Sequence, residues 1–315
     1  MTNTNTKKKI SLVVPFYNEE RTVEHFFESV VPEVELVKGY VCEFVCVNDG
    51  SADATLEKLL AARRKYGDRI KIVDLSRNFG KEAALTAGID YASGDAVIPI
   101  DCDLQDPVEV IPQLISKWQE GFEVVLAKRV DRSSDSYLKR QTAMLFYRLF
   151  NRVSDIDIPE NVGDFRLMSR RAVEALKRLP ERRRFMKGLF AWIGFKPAVV
   201  EYTRQNRVSG KTKFNYSRLL DFALEGIVSF SSIPLRWVLY MGLIIGTAAF
   251  VYAGFIVVRT FFYGIDVPGY ASLLTVTLFL GGVQLVGLGV VGEYIGRVYM
   301  EAKERPVYIV GRIYE

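Results

Sequence analysis

Two long uncharged stretches near the end of the chain constrain its fold more than any other feature. No Asp, Glu, Lys or Arg occurs from Trp237 to Val258, and none occurs from Val267 to Gly292. Each stretch is long enough for a helix that crosses the hydrocarbon core of a bilayer, which takes about 20 residues. Two buried helices of a large soluble core are the alternative, but paired uncharged runs of this length favour membrane helices. We therefore predict transmembrane helices at 235–263 and 267–296.

The charges that flank these stretches predict an orientation. The short connection carries Asp266 and no Lys, with only Arg259 on its near side. The outer ends carry more positive charge, at Arg236, Arg297, Lys303, Arg305 and Arg312. Because cytoplasmic flanks are enriched in Lys and Arg, we expect a multi-pass protein of the inner or plasma membrane with both termini in the cytoplasm. Residues 297–315 would then form a cytoplasmic tail.

The composition argues against several classes of function. The chain has 315 residues, with 42 Lys and Arg against 37 Asp and Glu, a single His and three Cys. One histidine argues against multi-histidine zinc sites and histidine-dependent triads. The three cysteines form neither a C-x-x-C pair nor an even disulfide framework. The small, dispersed net charge of +5 does not indicate nucleic-acid binding. Carboxylates, lysines and arginines are left to carry any chemistry.

The front of the chain alternates between short apolar runs and helical patterns. The apolar or β-branched runs are Ile10–Phe16, Glu43–Val47, Ile70–Leu75, Ala96–Ile100 and Glu123–Ala127. Helical patterns lie between them, near 20–37, 54–66, 81–92 and 108–119. This alternation predicts an α/β domain with a mostly parallel sheet and helices on both faces. We expect this domain to span 10–212, after a disordered tail at 1–9 and before an amphipathic juxtamembrane helix at 213–234.

Polar residues follow each of the first four predicted strands. A parallel sheet binds its ligand beyond the carboxyl ends of its strands, so we expect these residues to converge. They are Pro15, Tyr17, Asn18 and Glu19 after the first strand, Asp49 and Ser51 after the second, Asn78 and Lys81 after the third, and Asp101, Cys102, Asp103 and Gln105 after the fourth. No G-x-G-x-x-G follows the first strand and the P-loop motif does not occur, which argues against those two nucleotide sites.

Asp101 and Asp103 are the strongest chemical signal among these residues. Mg²⁺ and Mn²⁺ are bound in proteins by one or two carboxylates together with substrate phosphates, so this pair suits either ion. An acidic turn that caps the helix after Pro107 would have the same sequence. The polar residues at the other strand ends favour the metal site.

The chain resembles inverting glycosyltransferase family 2 domains of GT-A fold in four motifs. They are V-V-P-F-Y-N-E-E at 13–20, V-N-D-G-S at 47–51, R-N-F-G-K at 77–81 and D-C-D-L-Q-D-P at 101–107. Three further segments are similar to the polyprenyl-phosphate glycosyltransferases of that family, the bactoprenol glucosyltransferase and dolichol-phosphate mannosyltransferase group. These are F-R-L-M-S-R-R at 165–171, R-V-S-G-K-T-K-F at 207–214 and the segment 292–306. The resemblance covers nearly the whole chain.

The resemblance implies transfer of a sugar, glucose from UDP-glucose, to polyprenyl (undecaprenyl) phosphate at the cytoplasmic membrane face. It places the nucleotide against Pro15, Tyr17, Asn18, Glu19, Asp49, Ser51, Asn78, Lys81 and the Asp101–Asp103 segment, in which Cys102 has no role of its own. Asp49 would accept hydrogen bonds from the base or ribose, Asp101 and Asp103 would hold Mg²⁺ or Mn²⁺, and Gln105 would face the sugar. Phosphate oxygens of donor or acceptor would meet Arg207 and Lys213, and a cationic rim for the lipid headgroup would include Arg129, Arg132, Arg140 and Arg182–Arg184.

The chemistry of such a transfer also bears on Asp164. Charge builds on the leaving diphosphate, and a divalent ion with cationic side chains stabilises it. The acceptor is a phosphate monoester whose second pKa lies near ~6, so a strong general base is not needed. Asp164 either orients or deprotonates the acceptor, or forms a structural ion pair with a neighbour such as Arg166. Direct attack without a covalent intermediate predicts inversion at C1.

Other functions remain open at this point. The same reaction could use GDP-mannose or a UDP-aminopentose. A processive polysaccharide synthase usually needs more membrane helices than two, and a non-catalytic membrane scaffold would not need a D-x-D motif. Pairs of glycines four residues apart in both apolar stretches permit close helix contacts, and a homodimer or homotetramer is one way to use them.

Overall fold

A mixed eight-stranded sheet forms the centre of the part of the chain that the structure describes. The structure, a computed structural model, describes residues 7–130, 159, 161–182, 184–203, 231, 233–263 and 269–315. Its strands follow the order β7-β5-β6-β4-β1-β2-β3-β8 across the sheet. Their bounds are β1 Lys8–Phe16, β2 Tyr40–Asn48, β3 Ile70–Leu75, β4 Ala96–Pro99, β5 Val124–Arg129, β6 Val162–Ser169, β7 Pro197–Tyr202 and β8 Val310–Tyr314. β1 pairs in parallel with β2 and β4, and β2 with β3, so the predicted parallel core is confirmed.

Helices cover both faces of this sheet, as predicted. Their bounds are α1 Val23–Glu35, α2 Thr55–Tyr66, α3 Lys81–Tyr91, α4 Ile111–Gln119, α5 Arg170–Lys177, α6 Met186–Trp192, α7 Ile233–Tyr263 and α8 Tyr270–Ala302. On β1, Leu12 and Val14 join a hydrophobic cluster with α1, α2 and α4. Val13 points the other way, into a cluster with α3, α5 and α6. Because β1 is buried on both faces, its sequence is a continuous apolar run instead of an alternating one.

Helix α3 lies unusually close to the sheet because small residues face it. A Cβ at Gly88 would come within 2.2 Å of Val13 Cγ1, so only glycine fits there without a shift. Ala84 and Ala87 beside it are fully buried. This close packing fixes the first turn of α3, which begins at Lys81 beyond the carboxyl end of β3.

The antiparallel part of the sheet was not predicted. β6 pairs in antiparallel fashion with both β4 and β5, and β7 adds to β5 at one edge. The F-R-L-M run of β6 was noted in the sequence only as part of a motif. The prediction therefore missed the strand that carries Asp164.

The predicted disordered tail at 1–9 is wrong for its last residues. β1 begins at Lys8, and the backbone N–H of Lys9 donates to Asp95 Oδ2 at 2.7 Å. The Lys9 ammonium also donates to Ser93 Oγ at 2.7 Å and pairs with the buried carboxylate of Glu43. These partners lie far along the chain, which is why a polar, basic segment joins the sheet.

The predicted tail at 297–315 is also wrong as a separate segment. Helix α8 continues to Ala302, and β8 then pairs in antiparallel fashion with the edge strand β3. The Ser76 N–H donates to the Ile309 carbonyl at 2.9 Å, and Tyr308 donates to Asp90 Oδ2 at 2.8 Å. The end of the chain therefore returns to the sheet and supports the loop that follows β3.

The two apolar stretches form long helices. Ile233–Tyr263 and Phe279–Ala302 are long and apolar enough to cross a membrane, and 0% of the apolar window of either is buried inside the protein. Large side chains such as Phe250 and Phe261 are more than four-fifths exposed. Most of the predicted juxtamembrane helix, residues 213–230 and 232, lies outside the described residues.

Candidate active site

A cleft of about 310 Å³ opens at the carboxyl ends of β1 to β4, and we call it the first cavity. All four predicted strand ends contribute to its wall. The predicted residues that line it are Pro15, Tyr17, Glu19, Asp49, Asn78, Lys81, Asp101, Cys102 and Asp103. Parallel strands end at the same edge, so side chains from distant parts of the sequence meet there.

Asn18 and Ser51 were predicted to contact the nucleotide, but neither lines this cavity. The Asn18 N–H donates to Ser51 Oγ at 3.0 Å, and the Ala52 N–H donates to Asn18 Oδ1 at 2.8 Å. Asn18 adopts a left-handed backbone with φ of 53°, which asparagine tolerates better than most residues. The pair ties the loop after β1 to the loop after β2.

Asp49 was predicted to bond the base or ribose, and the structure shows it engaged with the protein backbone. Its Oδ1 accepts the Phe79 N–H at 2.7 Å and its Oδ2 accepts the Gly80 N–H at 3.0 Å. The next residue, Gly50, has φ of +60°, and a Cβ there would lie 2.3 Å from the Arg77 carbonyl carbon. Asp49 and Gly50 thus hold the loop at 77–80 against the end of β2.

Asp101 and Asp103 follow β4 and face the first cavity. The Gln105 N–H donates to Asp103 Oδ1 at 3.2 Å, which orients that carboxylate. The described residues contain no cluster of three or more His, Cys, Asp and Glu side chains that could hold a metal ion by itself. Two carboxylates still fit Mg²⁺ or Mn²⁺ when donor phosphates complete the coordination.

Gln105 and Cys102 do not take part in this way. Gln105 was predicted to face the sugar, but its side chain is buried and lines neither cavity described here. Burial raises the pKa of the Cys102 thiol, which keeps it neutral. Its position in the wall is consistent with a packing role.

A second cavity of about 240 Å³ adjoins the first, and the two share Lys81 and Asp101. The end of β5, the start of β6 and the start of α6 form its other walls. Its lining consists of Lys81, Asp101, Asp106, Arg129, Asn161, Val162, Gly163, Asp164, Lys187 and Tyr202. Arg129, predicted as a phosphate contact, is therefore placed beside Asp164 with two lysines nearby.

Asp164 forms its ion pair with Lys81, at 3.0 Å, and not with Arg166. The buried Arg166 guanidinium lies 4.0 Å from the ring centre of Phe190, and burial lowers its pKa to about 10. Burial alone would raise the pKa of Asp164, but Lys81, Lys187 and Arg166 outweigh it and hold that pKa below its usual value. These cations favour the ionised form of Asp164, and its buried Oδ1 makes no hydrogen bond to the described residues.

Lys81 bridges two carboxylates: Asp101, which lines both cavities, and Asp164, which lines the second. Its ammonium lies 2.8 Å from Asp101 Oδ1 and 3.0 Å from Asp164 Oδ2. Burial alone would lower the pKa of Lys81, but the two carboxylates raise it above its usual value. Lys81 is therefore a permanent cation at the junction of the cavities.

Lys187 was not predicted. It lies in the first turn of α6, whose Met186 N–H donates to Glu82 Oε2 at 3.1 Å. Glu82 follows Lys81 in α3, so both lysines are held by one corner of the fold. No local motif marks Lys187, because its place depends on the packing of α6 against β6 and α3.

Only some residues of the predicted cationic rim are among the described residues. Arg182 is held by the C-terminal segment, since its N–H donates to Glu301 and its side chain donates to the Arg305 carbonyl at 3.0 Å. Arg184 donates to the Leu179 carbonyl at 3.0 Å. The remaining residues predicted to meet phosphate or the headgroup lie outside the described residues: Arg132, Arg140, Arg183, Arg207 and Lys213.

The geometry of the site agrees with the comparison with protein families. Residues 11–177, more than half of the chain, match the model described as glycosyl transferase family 2. The chain belongs to glycosyltransferase family 2. Residues 233–298 match a second model, the GtrB C-terminal hairpin. The predicted family, GT-A fold class and enzyme class are thereby confirmed, and the match of the second model covers both apolar helices.

Similar proteins extend over almost the full chain. The prophage bactoprenol glucosyl transferase homolog of Escherichia coli K12 is 54% identical over 97% of this chain and 99% of its own. The bactoprenol glucosyl transferase of Shigella phage SfV is 55% identical over 96% of this chain and 98% of its own. An uncharacterized glycosyltransferase of Synechocystis sp. is 52% identical over 97% and 96%.

Proposed function

We propose that this enzyme transfers glucose from UDP-glucose to a polyprenyl phosphate, undecaprenyl phosphate, and inverts the configuration at C1. One observation carries the proposal: two cavities of different charge share Lys81 and Asp101. A two-substrate transferase needs such adjoining sites, so that donor and acceptor meet at the shared wall. The names of relatives that are 54–55% identical, bactoprenol glucosyl transferases, support both the sugar and the lipid.

The first cavity is the proposed donor site. Tyr17 is half exposed and offers a ring for the base, and Asn78 and Glu19 line the same cavity. Asp101 and Asp103 would hold Mg²⁺ or Mn²⁺, which neutralises the charge that develops on the leaving diphosphate. Lys81 is a second cation beside the same phosphates.

The second cavity is the proposed acceptor site. Arg129, Lys187 and Lys81 line it and offer charged hydrogen-bond donors for a phosphate monoester. An acceptor phosphate oxygen attacks C1 of glucose, the bond from C1 to the diphosphate oxygen breaks, and UDP leaves with the electron pair. Asp164 holds Lys81, at 3.0 Å, in place to contact that phosphate, and its carboxylate can accept a hydrogen bond from a singly ionised monoester.

The two apolar helices support a site next to a membrane. The chain enters the sheet at β1 and returns to it at β8, after both helices. Two helices that leave and rejoin one domain form a hairpin, which supports both termini on one side, the cytoplasmic side by the charge rule. The lipid tail of the acceptor then stays in the bilayer while its phosphate reaches the second cavity. Assembly into a dimer or tetramer stays a prediction.

The test is transfer of radiolabel from a panel of UDP and GDP sugars into an undecaprenyl-phosphate extract with Mg²⁺ or Mn²⁺. We expect label from UDP-glucose in the lipid phase with the wild type and none with Asp103→Ala. Cys102→Ala is the matched control, since it changes the neighbouring side chain without removing a carboxylate. Label from GDP-mannose or a UDP-aminopentose would correct the donor. The absence of lipid-phase label from every donor, with a folded protein, would overturn the polyprenyl-phosphate acceptor.

A further inference from the structure

Lys81 occupies a position that serves both cavities. It is the only cation in the first cavity among the described lining residues, and it is one of three in the second. Its ammonium is held between Asp101 at 2.8 Å and Asp164 at 3.0 Å. We infer that Lys81 couples the two sites, so that occupation of the donor site releases it from Asp101 and tightens the acceptor site for a phosphate monoester. This inference rests on the proposed function.

The charges around Lys81 give the reason. Without donor, Asp101 and Asp164 share one ammonium, and the Asp101 carboxylate, which also lines the second cavity, offsets part of that positive charge. Asp101 cannot serve a divalent cation and Lys81 equally well, because two positive groups on one carboxylate repel each other. Once Asp101 is engaged by the metal of the donor complex, Lys81 keeps only Asp164 as its partner.

The fold allows this exchange without a large rearrangement. Lys81 lies in the first turn of α3, whose backbone is fixed by the close contact of Gly88 with β1 and by Asp49 at the preceding loop. Its side chain is nevertheless 48% exposed. A long, partly exposed side chain on a rigid helix start can change partners through its rotamers alone.

The exchange would favour one order of binding. If the affinity of the acceptor site for the phosphate monoester rises only after the donor has bound, the monoester occupies the second cavity mainly after the donor. Linkage also requires the reverse effect: a bound phosphate monoester must tighten the donor complex by the same factor. A residue with a purely structural role would produce neither effect.

Binding measurements test this directly. Calorimetry on the full-length protein in detergent would use geranyl phosphate as the probe, without and with saturating Mn²⁺ and UDP. We expect the wild-type Kd for geranyl phosphate to fall at least about fivefold on addition of Mn²⁺ and UDP, within the usual range of coupling between sites. In Lys81→Met, the ratio of the Kd measured without Mn²⁺ and UDP to the Kd measured with them should fall to about one or below. The negative charge of UDP remains in this variant, while the released cation is missing. In Lys187→Met, binding should weaken in both conditions and the ratio should persist.

A second variant changes the affinity in the opposite direction. Asp101→Asn removes one of the two carboxylates that hold Lys81, so it should bind geranyl phosphate several-fold more tightly than the wild type when Mn²⁺ and UDP are absent. This gain cannot come from a folding defect. The coupling would be overturned if Mn²⁺ and UDP left the wild-type Kd for geranyl phosphate unchanged. It would also be overturned if Lys81→Met kept the wild-type ratio of the two Kd values. Failure of the wild type to bind geranyl phosphate in either condition would instead overturn the acceptor site itself.

Discussion

The two cavities that meet at Lys81 differ in charge, although we propose that each binds a phosphate. The first cavity contains four carboxylates, Glu19, Asp49, Asp101 and Asp103, against one lysine. The second contains three cations, Lys81, Arg129 and Lys187, against three carboxylates. We therefore expect an anionic nucleotide to need a divalent ion in the first cavity, whereas the second offers three cationic side chains that can contact a phosphate directly.

This difference teaches where each substrate's affinity comes from. In the first cavity, the proposed donor site, the carboxylates would attract the metal, and the metal would attract the donor. In the second, affinity depends on how Lys187, Arg129 and Lys81 are placed relative to Asp164. Variants in the two cavities should thus fail in different ways, and the four predictions below use that contrast.

The largest effect is expected at Asp164. Asp164→Asn keeps the shape of the side chain but removes the charge that holds Lys81 in place for the phosphate. We expect kcat to fall by roughly 10²-fold, the cost of misplacing a reacting group by about 1 Å, while UDP binding changes little. Steady-state kinetics and UDP titration measure the two effects. Asp106→Asn, which keeps an acceptor for the Tyr202 hydroxyl in the same cavity, is the control. Equal losses in both variants would contradict the role of Asp164.

A smaller but still large effect is expected at Asp49, in the first cavity. Asp49→Asn replaces one of two oxygens that accept the Phe79 and Gly80 N–H groups by an amide that cannot accept. Hydrogen bonds to a charged group contribute about 1.5–3 kcal/mol, so UDP affinity should fall by roughly tenfold or more as the loop at 77–80 loosens. Geranyl phosphate affinity in the absence of UDP should change less. A selective loss of geranyl phosphate binding would reverse the assignment of the cavities.

At Lys187 we expect an effect confined to the acceptor. Lys187→Met removes one charge-assisted contact with the phosphate, which should raise the acceptor KM by about tenfold and leave the donor KM within about twofold. The matched control is Lys58→Met, an exposed lysine on α2 that lines neither cavity. Two-substrate kinetics would contradict the account if the donor KM rose instead.

The smallest predicted effect concerns pH and Glu82. Burial, helped by Asp164, raises the pKa of Glu82 from 4.5 to about 7. Because this pKa is higher in the folded than in the unfolded state, protonated Glu82 stabilises the fold at low pH, and that contribution is lost as pH rises through about 7.

Glu82→Gln should therefore flatten the pH dependence of the unfolding temperature between about pH 5 and about pH 8, by a few degrees. Its amide oxygen can still accept the Met186 N–H. Glu57→Gln, at the exposed first turn of α2, is the control. A wild-type profile that Glu82→Gln leaves unchanged would show that Glu82 does not titrate in this range.

The same contrast explains what the sequence could predict. The first cavity comes from loops that directly follow predicted parallel strands, so strand ends alone located Tyr17, Asn78 and Asp103. The sequence did not predict the detailed contacts, because the packing of the loops decides which polar atom faces the cleft. Asn18 and Ser51 bond each other, and Asp49 bonds the backbone.

The second cavity depends on long-range packing. Asp164 lies on an antiparallel strand that the alternation of strand and helix does not predict, and its ion-pair partner is Lys81 instead of the nearby Arg166. Lys187 reaches the second cavity from the short helix α6, whose Met186 N–H donates to Glu82. The C-terminal strand β8 was missed for the same reason, since its partner β3 lies more than 200 residues earlier.

The most direct test of the account is a structure of the full-length enzyme determined with Mn²⁺, UDP and geranyl phosphate together. The account predicts the metal on Asp101 and Asp103, the diphosphate in the first cavity, and the monoester within about 3 Å of Lys187 or Arg129 in the second. A monoester outside the second cavity, or a nucleotide away from Asp103, would contradict it.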